Sequence, residues 1–396
     1  MAERKLRLGV AGLGRAFTVM LPSFIADRRV ELVAAADPRD EARRRFAADF
    51  GGRTCESIEE LCADKSVEVV YVATPHQLHA RHVAIAAGQR KHVLVEKPMA
   101  LTLEQCAEMI QSVRRAGVQM VVGHSHSFDA PYRRAREIVA SGAVGKPRMI
   151  SAFNFTDFLY RPRRPEELDT AQGGGAVFSQ GAHQIDIVRL LGGGRVKSVR
   201  AATGAWDRSR PTEGAYAALL SFEDGLFATA VYSGYAHFDS DEFAGWIGEM
   251  GQRKDLAAYG KVRKALARAG SAQREAELKA ARNYGGAEYA PAKPSAALHQ
   301  HFGEVVVSCE HADLRPLPTG VMIYGDGEAR LDPLPTPKVS RAEVIDELYA
   351  AVAQGHKPVH GGDWAMATLE VCLAILKSAR DGSEIALKHQ TSLPAP

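Results

Sequence analysis

Lys97 stands where a side chain could take part in chemistry. It follows the apolar run His92–Val95 and lies in the tripeptide Glu96-Lys97-Pro98. The run predicts a buried strand, and ligands of parallel sheets bind outside the carboxyl ends of the strands. The proline stops the strand at that edge. An ammonium group held there can hydrogen-bond a hydroxyl or carbonyl group beside a bound cofactor, although an ordinary strand-end lysine would have the same sequence.

A glycine loop after the first apolar run predicts a dinucleotide site. The loop runs from Gly12 through Leu13, Gly14 and Arg15 to Ala16. Its two glycines permit a tight turn and let the backbone approach a pyrophosphate, while the next helix offers N–H groups. Phe17 occupies the position where a third small residue is usual.

An acid at the end of the second predicted strand supports this interpretation. Asp37 lies 23 residues beyond Gly14 (37 − 14), where a carboxylate can accept hydrogen bonds from the adenosine ribose. The same carboxylate repels a 2′-phosphate, so the sequence favours NAD over NADP. Arg39 is the nearby cation and a further candidate for cofactor binding.

The fourth predicted strand ends at a turn that also faces the cofactor edge. Thr74 and Pro75 would form the turn, and His76 and His79 follow it. The two histidines have the spacing of a metal pair on one helical turn, but no third ligand follows at a familiar spacing. We therefore predict no metal. The same holds for the other close histidine pairs: His124 and His126, His299 and His301, His356 and His360.

Alternating strands and helices must position these residues. Five apolar runs lack the polar alternation of a half-exposed strand and predict buried parallel strands: LRLGVAG, VELVAAAD, VEVVYVAT, HVLVEKP and VQMVVGH. Helices are predicted between them over 39–50, 57–62, 79–87 and 103–116. This βαβ order predicts a Rossmann NAD-binding domain over residues 1–125.

The pattern changes after about residue 147. Strand-like runs follow one another with few helices between them, which predicts an antiparallel sheet in a second domain, residues 126–396. Glu223-Asp224-Gly225 is the predicted turn of a hairpin. A helical insertion is predicted over 241–286, and two closing helices over 341–380. The insertion has an excess of six basic residues between Gln252 and Arg282 and could form a lid, a subunit contact or a solvated helix.

Composition bounds the class of protein. The 396 residues are 46% hydrophobic and 24% charged, with a net charge of +3. This is typical of a globular protein and gives no support for nucleic-acid or membrane partners. Five widely spaced cysteines form no disulfide framework, and the amino terminus has no signal-peptide pattern, so we expect a reducing cytoplasm.

Four features in order resemble the glucose–fructose oxidoreductase / inositol dehydrogenase (Gfo/Idh/MocA) family. They are the glycine loop, ATPxxxH at 73–79, EKP at 96–98 and GGGAVFSQGAHQID at 173–186. The resemblance implies an α/β fold in which a Rossmann parallel sheet precedes an α/β domain with a large open, mainly antiparallel sheet. It also implies an enzyme that oxidises or reduces hydroxyl and carbonyl carbons with a nicotinamide cofactor, as a homodimer or homotetramer.

The resemblance assigns roles to individual residues. Lys97, with Glu96 of the same motif, would lie beside the nicotinamide, and His183 would be the catalytic acid/base. The family often has an aspartate four residues before that histidine, and Ser179 stands there. Either Lys97 and His183 act alone, or Asp186 or Asp157 supplies the missing carboxylate.

Within the family, the segments 206–216 and 232–243 and the insertion resemble dehydrogenases of phthalate-type cis-dihydrodiols. Such a small anionic aromatic dihydrodiol would be oxidised to a catechol, and its carboxylates need arginine partners. The candidate substrate contacts are His126, Asn154, Asp157, Arg161, Arg163, Ser179, Gln180, His183 and Arg208. A polyol or sugar-acid dehydrogenase and a non-catalytic nicotinamide-binding regulator remain alternatives.

Overall fold

Two β-sheets organise the part of the chain that the computed structural model describes, residues 4–291 and 297–393. Among these residues, six strands form a parallel sheet in the order β3-β2-β1-β4-β5-β6. The strands are β1 (Leu6–Ala11), β2 (Val30–Ala36), β3 (Arg53–Cys55), β4 (Val69–Val72), β5 (His92–Val95) and β6 (Met120–Val122). The helices that connect them are α1 (Arg15–Ala26), α2 (Asp40–Phe50), α3 (Ile58–Ala63), α4 (His79–Gly88) and α5 (Leu103–Ala116).

The five apolar runs predicted as buried strands form β1, β2, β4, β5 and β6, whereas the short edge strand β3 was not predicted. Helices cover both of its faces, so strand residues on each face are buried in one of two separate apolar clusters. The strand order reverses between β1 and β4, which are hydrogen-bonded neighbours. Their connections leave the sheet in opposite directions and open a crevice at the carboxyl edge, where ligands of such sheets bind. The predicted Rossmann sheet is confirmed.

A second, mainly antiparallel sheet follows two helices, α6 (Ala130–Ala140) and α7 (Ala182–Gly192). In the described residues its nine strands have the order β14-β13-β12-β11-β7-β10-β9-β8-β15. They are β7 (Pro147–Phe155), β8 (Val196–Gly204), β9 (Ala215–Phe222), β10 (Phe227–Ser233), β11 (Glu304–Cys309), β12 (Ala312–Leu317), β13 (Gly320–Gly325), β14 (Ala329–Pro333) and β15 (Ile385–Ala386). The remaining helices are α8 (Lys261–Ala269), α9 (Ala272–Ala280), α10 (Ala342–Ala353) and α11 (Gly362–Asp381).

The pairing of this sheet agrees with the predicted fold class and adds one detail. The predicted hairpin is β9–β10, and its turn contains Gly225 at a φ of +89°. β10 pairs with β7 in parallel, whereas the other neighbours are antiparallel. Helices α6, α7 and α11 cover one face. The other face exposes apolar side chains, including Leu219 and the cross-strand pair Met149 and Phe227.

The two closing helices return to the first sheet. Val344 and Leu348 of α10 are buried in the same apolar cluster as Leu6 and Met20. Helix α11 packs against α5 and β6 on one side and β8 on the other. The predicted boundary at residue 125 therefore falls between β6 and α6. Helices α10 and α11, however, bring the later part of the chain back to the first sheet. None of the helices in the described ranges is long and apolar enough to cross a membrane.

Candidate active site

A cleft of about 560 Å³ opens at the carboxyl ends of β1 and β4. Gly12 has a φ of +95°, and a Cβ atom there would lie 2.8 Å from the carbonyl oxygen of Ala73, so no other residue fits. Gly14 has no atom within 4 Å of the position of a Cβ, so its backbone faces open space. The cleft thus offers the open backbone and helix N-terminus that a dinucleotide pyrophosphate requires.

Asp37 shapes the loop from the far end of the cleft. Its Oδ2 accepts a hydrogen bond from the backbone N–H of Leu13 at 2.7 Å, and its Oδ1 accepts one from the backbone N–H of Arg39 at 2.9 Å. The Arg39 side chain also donates to Asp37 and to the carbonyl of Leu13. Asp37, Arg39, Arg15 and Ala16 all line the cleft, as the sequence predicted for a cofactor site.

The turn after β4 contributes three predicted cofactor residues to the cleft. Thr74, Pro75 and His76 line it, but His79 does not. The ring nitrogens of His79 lie 3.0 Å from the carbonyl oxygen of Pro98 and 2.9 Å from that of Thr74. His79 is fully buried, so it ties the two loops of the site together from beneath.

Glu96 likewise lies under the site. Its carboxylate accepts a hydrogen bond from the hydroxyl group of Tyr71 at 2.6 Å, and burial raises the pKa of Glu96. Both side chains are buried. Glu96 therefore supports the strand end on which Lys97 stands.

Lys97 and His183 come together although 86 residues separate them (183 − 97). The Nζ of Lys97 donates a hydrogen bond to the carbonyl oxygen of Ser179 at 2.8 Å. Ser179 lies in a π-helical turn, Val177–Gly181, which leads into α7 and places His183 in its first turn. Burial lowers the pKa of Lys97 to about 8. The two predicted catalytic residues thus share one site.

His126 connects His183 to a carboxylate that the sequence did not indicate. The backbone N–H of His126 donates to the Nδ1 of His183 at 3.3 Å, and the two rings are 4.7 Å apart. The Nδ1 of His126 lies 2.6 Å from an oxygen of Asp129, and its Nε2 lies 3.2 Å from an oxygen of Glu249. Glu249 belongs to the insertion, 123 residues further along the chain.

The charges in this group stabilise one another. Burial opposes the charged form of His126, but Asp129 and Glu249 together raise its pKa above the ordinary value. Burial also opposes ionisation of Glu249, but His126 and Arg161 lower its pKa to about 2. Burial and the positive charges of Lys97 and His126 hold the pKa of His183 well below its usual range. These effects favour the cationic form of His126, the anionic form of Glu249 and the neutral form of His183.

His124, His126 and Asp129 also form a group whose donor atoms lie within 4.8 Å of one another. The two oxygens of Asp129 already accept hydrogen bonds, one from each ring, at 2.9 Å and 2.6 Å. These three residues could hold a metal ion, but their mutual hydrogen bonds account for the cluster without one. The expectation of no metal stays a prediction.

The two acids considered from the sequence have other partners. Asp186 lies behind His183 and accepts hydrogen bonds from the Trp364 indole at 2.6 Å, from Thr368 at 2.7 Å and from Ser127. Asp157 pairs with Arg161 at 3.3 Å. The carboxylates linked to the predicted catalytic pair are those of Asp129 and Glu249, both through His126. No local pattern marks Glu249, because its role depends on how the insertion crosses the site.

The predicted substrate residues separate into different places. The side chain of Arg161 is 43% exposed, and the nearby carboxylates of Glu249 and Asp157 raise its pKa. Arg163 is held over the ring of Phe158. Asn154 is buried, and its side chain accepts a hydrogen bond from Ser240 at the start of the insertion. Gln180 is buried beside Ser179 in the π-helical turn.

Arg208 is exposed. It lines another cavity, also of about 560 Å³, which shares no lining residue with the cofactor cleft. The cavity is surrounded by aromatic side chains, among them Tyr160 and Trp206. The structure therefore does not bring Arg208 together with Lys97 and His183.

The insertion reaches the cofactor cleft with its second helix. Ala276, Lys279 and Ala280 of α9 line the cleft, as does Asn283. Glu275 anchors the helix to the second domain through a buried ion pair with Arg210 at 2.7 Å. The insertion thus contributes Glu249 to the catalytic group and α9 to the wall of the cleft.

The end of the insertion is anchored in the first domain. The ring of Tyr284 is buried against Phe17, with a centroid distance of 5.1 Å. Its hydroxyl group donates to Asp49 at 2.7 Å, and its carbonyl accepts a hydrogen bond from Arg39 at 3.2 Å. Phe17 therefore replaces the small residue usual at this position of a glycine loop and provides the ring against which Tyr284 packs.

Comparisons with known proteins agree with this geometry. Residues 6–124 match the family profile described as "Oxidoreductase family, NAD-binding Rossmann fold", GFO_IDH_MocA. Residues 132–252 match the GFO/IDH/MocA C-terminal domain. The chain belongs to the Gfo/Idh/MocA oxidoreductase family, and it is an enzyme that uses NAD.

Several relatives match nearly the whole chain. The 1-carboxy-3-chloro-3,4-dihydroxycyclohexa-1,5-diene dehydrogenase of Comamonas testosteroni is 48% identical over 377 residues, 95% of each chain. A crystal structure from Bordetella bronchiseptica RB50, described as that of a dehydrogenase, is 43% identical with a TM-score of 0.91, covering 97% of this chain and 100% of the other. The WlbA dehydrogenase of Bordetella pertussis, solved with NADH and UDP-GlcNAcA, shares the fold at 22% identity and a TM-score of 0.68, over 97% and 99% of the two chains.

Proposed function

We propose that the protein oxidises a carboxylated cis-dihydrodiol of a cyclohexadiene to the corresponding catechol, with NAD⁺ as the hydride acceptor. The observation that carries this proposal is the hydrogen bond of Lys97 to Ser179, which brings Lys97 to the turn that precedes His183, close to His76 of the cofactor cleft. Arg161 interacts electrostatically with Glu249 of the same group. The Comamonas relative, whose name describes a carboxylated dihydroxycyclohexadiene, supports the substrate class. The phthalate 4,5-cis-dihydrodiol, with two carboxylates, is one member of that class.

The cofactor would be held by the residues that line the cleft. The open backbone at Gly12 and Gly14 and the N-terminus of α1 suit the pyrophosphate. Asp37 and Arg39 would lie at the adenosine end, and Thr74 and the residues after it line the same cleft and would form the opposite wall. When bound there, NAD⁺ supplies the acceptor for a hydride. The protein's own task is to orient the diol and to take up its hydroxyl proton.

Arg161 is the proposed partner of a substrate carboxylate. It is the half-exposed arginine of the predicted set, and its contact to Asp157 is a single hydrogen bond of 3.3 Å from Nε. A guanidinium can bind a carboxylate through two parallel hydrogen bonds. Arg163 is committed to Phe158 and to its backbone carbonyl, so it supports the segment rather than the ligand.

A substrate panel tests the proposal. Purified protein with NAD⁺ is offered dihydrodiols with two carboxylates, with one and with none, and then inositols and uronates, while NADH absorbance is followed. We expect turnover of the carboxylated dihydrodiols and much lower kcat/KM for the uncharged one. Rapid turnover of an inositol or uronate, with none of a dihydrodiol, would establish the polyol or sugar-acid alternative instead. NAD binding without any turnover would favour the regulator.

A pair of arginine variants tests how the carboxylate is bound. Arg161→Met should raise KM for a carboxylated dihydrodiol by about 10- to 100-fold, because a charge-assisted hydrogen bond contributes about 1.5–3 kcal/mol. Arg208→Met is the matched control, since Arg208 lines the other cavity. An equal effect of the two variants would contradict the assignment of Arg161.

We further propose that the insertion closes one side of the cofactor cleft and that subunits associate through the exposed sheet face. The first proposal is supported by the contacts of α9 and Tyr284. The second is supported by the apolar side chains of Met149, Leu219 and Phe227 on that face. A mass measurement in solution, with Phe227→Glu as the variant, tests the assembly.

A further inference from the structure

We propose that Lys97 and His183 divide the proton chemistry of the site between them. The neutral amine of Lys97 accepts the hydroxyl proton of the substrate, and His183 only donates a hydrogen bond from Nε2 to the same oxygen. This inference rests on the proposed oxidation and changes the acid/base role that the family resemblance assigned to His183. It follows from a hydrogen bond whose direction is unambiguous.

The backbone N–H of His126 determines which ring nitrogen of His183 carries a proton. An amide N–H can only donate, so the Nδ1 atom of His183, 3.3 Å away, must present its lone pair. A neutral imidazole has one proton, which is then on Nε2. In this tautomer Nε2 is a donor and has no lone pair with which to accept the proton of an alcohol.

The side chain of His126 keeps His183 neutral. Both nitrogens of the His126 ring face carboxylates, those of Asp129 and Glu249, and both therefore donate. The two carboxylates favour the cationic form of His126, whose buried ring lies 4.7 Å from that of His183. A second positive charge on His183 would be repelled by His126 and by Lys97. Proton uptake by His183 is thus disfavoured by the residues that fix its tautomer.

Lys97 has the opposite properties. Its Nζ is tied to the carbonyl oxygen of Ser179 at 2.8 Å, a bond that both an ammonium and a neutral amine can donate. Nζ can therefore keep this hydrogen bond as a neutral amine, in which its lone pair is available to accept a proton. The charged groups that act on it are the carboxylates of Glu96 and Glu249 and the guanidinium groups of Arg163 and Arg341. The neighbouring imidazoles are His76 and His183.

The balance of the reaction is complete with these groups. The carbinol C–H bond breaks, and its hydride passes to the nicotinamide of NAD⁺. The O–H bond breaks, and its proton passes to Nζ of Lys97. A C=O bond forms between the carbinol carbon and its oxygen. His183 donates to the carbonyl oxygen throughout. The products are NADH, a hydroxyketone that tautomerises to the catechol, and a lysine ammonium that loses its proton to water.

The tautomer can be measured without turnover. Imidazole ¹⁵N–¹H correlation spectra of the protein without substrate, compared with His183→Gln for assignment, should show His183 protonated on Nε2 and unprotonated on Nδ1 around neutral pH. A ring protonated on Nδ1, or on both nitrogens, would overturn the inference whatever the substrate proves to be.

Two matched variants of His183 distinguish a hydrogen-bond donor from a general base. The side-chain amide nitrogen of glutamine can take the position of the Nε2 donor of histidine. The side-chain amide nitrogen of asparagine can take only the position of Nδ1. His183→Gln should retain kcat within about 10-fold of the native enzyme, and His183→Asn should lose about 10²- to 10³-fold, the usual effect of removing one donor to a developing oxyanion. Equal and severe losses in both variants would show that His183 is the base.

Lys97 is tested by rescue. Lys97→Ala should lose about 10²- to 10⁴-fold in kcat, bind NAD normally, and recover activity with added small amines. The native kcat/KM should rise with pH through the pKa of Lys97, about 8, because the amine accepts a proton only above that pKa. If small amines do not rescue Lys97→Ala, and if this variant keeps the pH dependence of the native kcat/KM, Lys97 does not accept the proton. These tests use a substrate that the native enzyme turns over, so failure of the proposed function is seen first, in the native enzyme.

Discussion

Tyr284 offers a direct test of the proposal that the insertion closes the cofactor cleft. The tyrosine is fully buried in the first domain, although it belongs to the insertion of the second. Its ring packs on Phe17 and its hydroxyl group donates to Asp49. The wall-forming residues Lys279 and Asn283 lie a few positions before it. Tyr284→Ala should therefore release the wall of the cleft while leaving the glycine loop intact.

The size of the effect follows from what is buried. Removing a fully buried aromatic ring costs about 3–5 kcal/mol. If about half of that holds the insertion against the first domain, the Kd for NAD rises by about 10- to 100-fold, since 1.4 kcal/mol is tenfold. Tyr284→Phe retains the ring and loses one hydrogen bond, about 1 kcal/mol, so its Kd should rise by no more than about fivefold.

Calorimetric titration with NAD measures these constants, and Tyr259→Ala is the matched control. Tyr259 is a tyrosine of the same insertion, but it is 71% exposed, so its removal should leave the Kd for NAD unchanged. Proteolysis within the insertion should be suppressed by NAD in the native protein and much less in Tyr284→Ala. A folded Tyr284→Ala variant with native affinity for NAD would refute the reasoning. If that variant does not fold, Lys279→Ala combined with Asn283→Ala tests the same wall.

Two further substitutions test the cofactor loop and the glycine-rich motif before α7. Asp37→Ala removes the acceptor of the Leu13 N–H and the carboxylate partner of the Arg39 side chain, which keeps its bonds to the carbonyls of Leu13 and Tyr284. The preference for NAD over NADP should therefore fall by about tenfold or more, as a 1.4 kcal/mol change would give. Equal Kd ratios for the variant and the native protein would contradict this role of Asp37. Gly175→Ala places a Cβ atom 2.1 Å from an oxygen of Glu213 at a φ of +81° and should lower the free energy of unfolding by at least about 2 kcal/mol. Gly193→Ala is the matched control, because Gly193 has a φ of +85° and open space around the Cβ position. Its loss of unfolding free energy, from the same denaturant titration, measures the cost of the backbone conformation alone. An equal loss in both variants would show that the clash with Glu213 is unimportant.

The first domain could be predicted almost completely because its signals are local. A strand buried on both faces is apolar over a few consecutive residues, and a glycine loop between a strand and a helix has a recognisable spacing. Asp37 and Thr74 could be assigned to the cofactor edge because parallel strands all end at that edge. The parallel pairing of β7 and β10 could not be predicted, because the pairing of strands 72 residues apart (227 − 155) is not encoded in either run.

The site could be predicted only in part for the same reason. Lys97 and His183 were indicated by motifs, but their electrostatic partners come from distant segments. Glu249 contacts His126 because the insertion crosses from the second domain to the first, and no spacing in the sequence expresses that crossing. Arg161 and Arg208 look equivalent in the sequence, and only the folded chain places Arg161 near Glu249 and Arg208 in the lining of a separate cavity.

By itself, the sequence determined the family and the NAD-binding fold and indicated Lys97 and His183 as candidate catalytic residues, because these inferences depend on side-chain type and short spacing. Tertiary structure alone decided the ionisation and tautomer of those residues. Burial sets the pKa of Lys97, and a backbone N–H from the segment after β6 sets the proton position on His183. Both effects act through space between groups that are far apart in the chain, and their energies exist only after the chain has folded.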